Sequence, residues 1–164
     1  MRSMTSTCLA ILAAAALSFG TTACAQPATA TQNPVAFMAE NALAEGVHVL
    51  PSGVQYKIVT SGPANGPHPT PDDVVKVNYE GKLLNGRVFD SSFATNKPVV
   101  FVLKNLIPGW VDAVPLMRPG DEWILYIPPA RGYGDSDTGP IPPNSVLIFR
   151  LQLMAVGADA GTPN

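Results

Sequence analysis

The side chains that usually carry chemistry are few in this chain, and they are poorly placed for the common reactions. His48 and His68 fall in separate loops, the second between Pro67 and Pro69. Two isolated imidazoles make neither a metal pair nor an oriented general base. Asp72-Asp73 and Asp135 with Asp137 are short acidic spots in turns, where carboxylates bond to nearby backbone amides. A calcium site would need more oxygen ligands at tighter spacing. Gly132-Tyr133-Gly134 lacks the Lys-Ser/Thr pair that opens a helix behind a phosphate loop. Ser91-Ser92 has no histidine partner to activate it. No metal and no cofactor is therefore expected. What remains is an aromatic set, Tyr79, Phe89, Trp110, Tyr133 and Phe149, drawn from separate segments. Each taken alone is accounted for by core packing, since aromatic rings are large and bury well.

The elements that must position these rings follow from the pattern. Val75, Val77 and Tyr79 alternate with Lys76, Asn78 and Glu80, which predicts a half-buried antiparallel strand. Val54 to Val59 and Pro98 to Leu103 predict further strands, as do Trp123 to Ile127 and Val146 to Leu153. Asn85-Gly86 predicts a hairpin turn. Pro108 to Met117 predicts one short helix stopped at Gly120, with Pro115 tolerated because the helix is so brief. Ahead of them, Asn33 as cap, Pro34 as first position and Gly46 as stop predict a helix over 35–44. It has no long amphipathic run behind it, so it must dock or fray. One helix among antiparallel strands makes an α+β domain.

Composition agrees and excludes alternatives. The chain has 164 residues, enough for one domain with a real core. Its 17 Pro and 14 Gly indicate many turns and argue against a coiled coil or helical bundle. A net charge of -2 gives no basic surface for nucleic acid. Arg2 is the sole charge before Glu40, and an apolar run from Cys8 to Phe19 precedes Thr21-Thr22-Ala23-Cys24-Ala25. This is the form of a secretory signal peptide over 1–25, and twelve residues are too short to span a bilayer core about 30 Å thick. Ala23-Cys24-Ala25 fits cleavage to a soluble form, while Thr21 to Cys24 resembles a lipobox that would attach lipid to Cys24. Either way the chain is expected to be exported, to the periplasm, and without a free thiol. Residues 26–49 then form a linker with the short helix, 50–157 the domain, and 158–164 a tail.

The motifs around the rings go further. Val77-Asn78-Tyr79-Glu80-Gly81, Gly86 to Ser92, Leu106-Ile107-Pro108-Gly109-Trp110, Tyr133-Gly134 and Ile141-Pro142-Pro143-Asn144 through Phe149 occur in that order. Together they closely resemble the FK506-binding-protein (FKBP) family of peptidyl-prolyl cis-trans isomerases, over residues 50–156. The stretch from Phe37 to Lys57 is further similar to exported bacterial members of the macrophage infectivity potentiator group. The resemblance implies a five-stranded antiparallel sheet curled around one short helix, with the site between them. It implies Trp110 as the floor under a proline ring, and Tyr79, Phe89 and Phe149 as apolar walls. Leu106 and Ile107 would stand at the rim, and Ile141 at a loop contact. Tyr133 would hydrogen-bond a substrate carbonyl, and Asp90 would supply a polar wall. The implied partners are proline-containing polypeptides and FK506-type macrolides.

Such a site suits the residues present. Rotation about an X-Pro bond must break amide resonance, a barrier of about 18–20 kcal/mol, yet it makes and breaks no bond to carbon. A site accelerates it by binding the twisted imide better than either planar form. A dry aromatic pocket does so because the twisted imide is the less polar species. Three departures from the family pattern are expected to matter. Lys97-Pro98 is followed by Val99 where many members have an aromatic, so one wall is reduced, weakening macrolide binding more than activity. The loop from Gly134 to Ile141 is short and acidic, without an apolar flap. The long helical dimerisation module of the infectivity-potentiator group is absent, so a monomer is expected. A non-catalytic peptide-binding chaperone with the same fold is the alternative.

Overall fold

The computed structural model describes residues 33–95 and 97–163; the expected signal peptide, with Cys8 and Cys24, lies outside the described residues. Among the described residues seven strands form one antiparallel sheet: β1 (Val47–Val49), β2 (Gln55–Thr60), β3 (Val74–Leu83), β4 (Val88–Ser91), β5 (Val99–Val102), β6 (Glu122–Ile127) and β7 (Leu147–Val156). Their order is β1-β2-β6-β7-β3-β4, and β5 pairs with β3 beside β4. The expected α+β class holds, but the strand count of five was too low. β1, three residues long at the sheet edge, is too short to show alternation and adds residues ahead of the boundary expected at 50.

β3 is the organising strand. Along one edge it pairs with β7. Its other edge is shared, residues 74–77 pairing with β5 and residues 80–82 with β4. Tyr79 sits at the split between them, where neither β4 nor β5 offers its backbone a ladder partner. Ser92 fills the gap: its Oγ accepts the Tyr79 amide at 2.9 Å and its own amide donates to Tyr79 O at 2.9 Å. The predicted alternation is realised, with Val75 and Val77 wholly buried.

The inner face of the sheet packs against α2 (Pro108–Ala113), from which Trp110 and Ala113 enter the core with Leu125, Ile127 and Leu147. Gly109 permits this approach, because a Cβ there would lie 2.6 Å from Ile127 of β6. The helix is shorter than the predicted 108–117. Pro115 cannot donate to the carbonyl four residues back, so Val114–Leu116 tighten into a 3-10 turn. Gly120, with φ of 95°, serves the following turn into β6 rather than the helix.

α1 (Pro34–Asn41) lies on the outer face. Asn33 caps it as expected, its Oδ1 accepting from the Val35 amide at 2.9 Å. The helix ends at Asn41, short of the predicted 44, and it docks. Gln55 of β2, only 3% exposed, donates to Met38 O at 2.7 Å and accepts from Asn41 Nδ2 at 2.8 Å. The Phe37 ring tilts against Tyr126 at 6.2 Å.

Candidate active site

Five rings gather where α2 meets the sheet. Trp110 lies at the start of α2 and is 4% exposed. Around its indole three rings stand nearly perpendicular: Phe149 at 5.3 Å and 89°, Tyr79 at 5.5 Å and 84°, Phe101 at 6.4 Å and 88°. Phe89 in turn meets Phe149 edge-on at 5.6 Å and 87°. Edge-to-face contact is the favoured geometry for aromatic quadrupoles. The result is a plate with upright walls, an apolar cup. The Trp110 Nε1–H is buried without a partner among the described residues, which leaves the floor with an unused donor.

A bulge brings two neighbouring residues of β4 to this cup. Gly81 faces Asp90 and Lys82 faces Val88, so Phe89 is the extra residue between them. A regular strand would send Phe89 and Asp90 to opposite faces; the bulge re-aims one of them. Phe89 therefore reaches Phe149, while the Tyr79 hydroxyl donates to Asp90 Oδ2 at 2.5 Å. Gly81 makes room for both rings, since a Cβ there would lie 2.5 Å from Phe89 and 2.7 Å from Phe149.

Burial, followed by the bond to Asp90 and the carboxylate's charge, holds the Tyr79 phenol well above the ordinary tyrosine value. It therefore stays a neutral donor. Tyr133 is 41% exposed. Leu106 and Ile107 pack half-buried beside the core, and the Ile107 carbonyl accepts the Trp110 amide at 2.9 Å. Ile141 is 4% exposed and belongs to the same buried cluster as Trp110 and Phe149.

Of the expected site residues Tyr79, Phe89, Asp90, Trp110 and Phe149 come together here, and a ring that the sequence reading did not name, Phe101, joins them. The aromatic absent at Val99 has a counterpart two residues on, because Phe101 stands opposite Val75 in the β3–β5 register and so shares the inward face. The alternation of β3 carried that signal, but only once the pairing register was known. His68 accepts from Arg118 Nε at 2.9 Å, and His48 stacks on Tyr56 at 5.0 Å, both away from the cup. A depression of about 340 Å³ lies elsewhere, lined by Thr60, Asp121, Glu122 and Gln152. Its carboxylates are already engaged, Asp121 by the Gly62 and Arg118 amides and Glu122 by Arg150 and Gln152. The cup is the better candidate, because its rings and polar edge converge on one small volume.

Comparison with known proteins agrees. The family model described as FKBP-type peptidyl-prolyl cis-trans isomerase matches residues 66–154, and one for the domain amino terminal to it matches residues 5–58. Of the latter stretch, which was expected to lack the helical module, the described part comprises α1, β1 and the start of β2. A probable FKBP-type peptidyl-prolyl cis-trans isomerase FkpA of Neisseria meningitidis is 45% identical over 78% of this chain and 47% of its own length. The outer membrane protein MIP of Legionella longbeachae is 43% identical over 74% of this chain and 52% of its own. The chain spans about half the length of the curated relatives it matches. A solved peptidyl-prolyl cis-trans isomerase of Pseudomonas syringae superposes with a TM-score of 0.70 at 34% identity, covering 76% of this chain and 90% of that one. The family model's match over residues 66–154, more than half of the chain, together with the shared fold, is that of a family member: the chain belongs to the FKBP-type peptidyl-prolyl cis-trans isomerase family.

Proposed function

We propose that this protein is a peptidyl-prolyl cis-trans isomerase acting on proline-containing polypeptides. The observation that carries the reading is the cup itself, three rings upright around the Trp110 indole with Asp90 and a neutral Tyr79 at its edge. In this reading the proline ring rests on Trp110 between Tyr79, Phe89, Phe101 and Phe149. As the imide twists it loses resonance and polarity, and an apolar enclosure favours that state over the planar ground states. Asp90, fixed by Tyr79, presents a polar wall beside the rotating carbonyl, and Tyr133 donates to a neighbouring peptide carbonyl. Leu106, Ile107 and Ile141 set the rim. Proton transfer and covalent intermediates have no part in this mechanism.

We further propose that the chain is exported to the periplasm, soluble or lipid-anchored at Cys24, and acts there as a monomer on folding proteins. The basic and apolar start of the sequence and the name of the Legionella relative support export. Among the described residues no helix is long and apolar enough to cross a membrane. The deciding experiment is cis-trans exchange of an X-Pro tetrapeptide with and without FK506. The expected result is acceleration that the macrolide inhibits and that Trp110→Ala or Asp90→Ala lowers by about tenfold or more. No acceleration at micromolar protein would sink the enzymatic reading and leave a non-catalytic peptide-binding module.

A further inference from the structure

In the proposed reading β4 and the Ile141 loop, distant in the chain, border the mouth of the cup, and one side chain joins them. β4 carries Phe89 and Asp90. The loop from Gly134 to Asn144 carries Ile141. That loop is closed at its base, where the Asn144 amide donates to Gly134 O at 2.7 Å. Within it the Thr138 amide donates to Ile141 O at 3.2 Å and the Gly139 amide to Asp137 Oδ1 at 2.8 Å. Ile141 is anchored in the core, yet residues 135–140 are all exposed. Nothing within the loop ties this exposed arm to the opposite side of the mouth.

Arg87 does. It follows the Asn85-Gly86 turn and stands two residues before Phe89. Its own backbone is held by that turn, the amide donating to Asn85 Oδ1 at 3.0 Å and the carbonyl accepting from Leu83 at 3.0 Å. From there its guanidinium donates to the carbonyl of Pro140, the residue next to Ile141. A proline has a fixed φ and no amide hydrogen, so this carbonyl is a rigid handle on the loop. The bond lies in solvent, where water competes with it, so the tether can open.

We infer that Arg87 is a positioning residue that clamps the Ile141 loop against the Phe89–Asp90 strand and sets the width of the mouth. The inference rests on the isomerase reading proposed above. Floor and polar wall are untouched by the clamp, so its loss acts on how substrate is held rather than on the rotation itself. In steady-state terms that is a change in KM at constant kcat.

The test compares the full chain with Arg87→Ala and Arg87→Lys. Peptide isomerisation is resolved into KM and kcat, amide hydrogen exchange is followed at Thr138 and Gly139, and urea unfolding is measured alongside. Arg87→Ala is expected to raise KM and loop exchange each by about fivefold, the scale of one solvent-exposed hydrogen bond. The kcat and the unfolding midpoint should stay put, and Arg87→Lys should recover part of both losses. Unchanged exchange in Arg87→Ala overturns the clamp. Faster exchange with unchanged KM overturns its role at the mouth, and a fall in kcat together with the unfolding midpoint reduces it to a stability contact. A wild-type chain without isomerase activity overturns the underlying reading, and the exchange data then decide the clamp alone.

Discussion

At the residue scale, Tyr79 ties backbone, wall and polar edge together. Its amide is taken by Ser92, its ring meets Trp110, and its hydroxyl fixes Asp90. Tyr79→Phe keeps the ring and frees the carboxylate, so kcat/KM for an X-Pro peptide should fall about three- to tenfold with the fold intact. The raised phenol pKa also has a sign in stability. Folding favours the neutral form, so this contribution is complete below the ordinary tyrosine value of 10.0 and drains away as pH rises through the higher folded value. Unfolding titrations into alkali should therefore show a steeper loss of stability in wild type than in Tyr79→Phe. The need for a ring at 79 was legible from strand alternation and motif. Its pairing with Asp90 was not, because a bulge has no periodic signature and decides which way two adjacent side chains turn.

At the element scale, two glycines set how closely layers approach. Gly81→Ala would push a methyl into Phe89 and Phe149, and Gly109→Ala into Ile127. Each should cost about 1–3 kcal/mol in urea unfolding, but only Gly81→Ala should also depress isomerisation beyond what lost stability explains. The two effects separate because Gly81 lies under the cup walls and Gly109 under the helix. Both glycines were visible within motifs, but what a Cβ would strike depends on chains far away in sequence. The same holds for α1. Asn33 and Pro34 announced its start, whereas its docking site depends on Gln55, a polar residue that the strand pattern alone would place in water. Its two bonds, to Met38 O and Asn41, make burial tolerable. Gln55→Leu should loosen α1 and speed proteolysis within 34–41, while the sheet persists.

At the scale of the whole molecule, one strand holds the enterprise together, since β3 pairs with β7, β4 and β5. Such long-range pairing makes folding slow for a chain of this size. The open sheet face is stitched by charge. Arg150 donates to Glu122 at 2.6 Å, Gln152 donates to its other oxygen at 2.6 Å, and the Arg150 guanidinium lies 4.9 Å over Phe93. The Arg150 bond, then that of Gln152, holds Glu122 below the usual carboxylate value against the opposing effect of burial. That stabilisation is present above the ordinary glutamate value of 4.5 and is lost as pH falls through the lower folded one. Glu122→Gln should thus be less stable than wild type at neutral pH, and the two should converge in acid. Fold class and the positions of the main strands along the chain could be read from alternation and turn residues. β1 and Phe101 could not, because a three-residue edge strand and a wall defined by register exist only once partners are chosen.

The two indoles of the chain sit at different ends of this architecture. Trp110 floors the cup, while Trp123 stacks flat on Tyr56 at 4.3 Å beneath the β1 edge. Both ring nitrogens are buried without a partner among the described residues, so both should emit at short wavelength, as indoles shielded from water do. Replacing Trp123 with Phe would leave a single tryptophan, excitable apart from the tyrosines and, in the proposed reading, directly under a bound proline ring or macrolide. Occupancy of the cup could then be followed by light from the floor itself, in the unlabelled protein and independently of catalytic turnover.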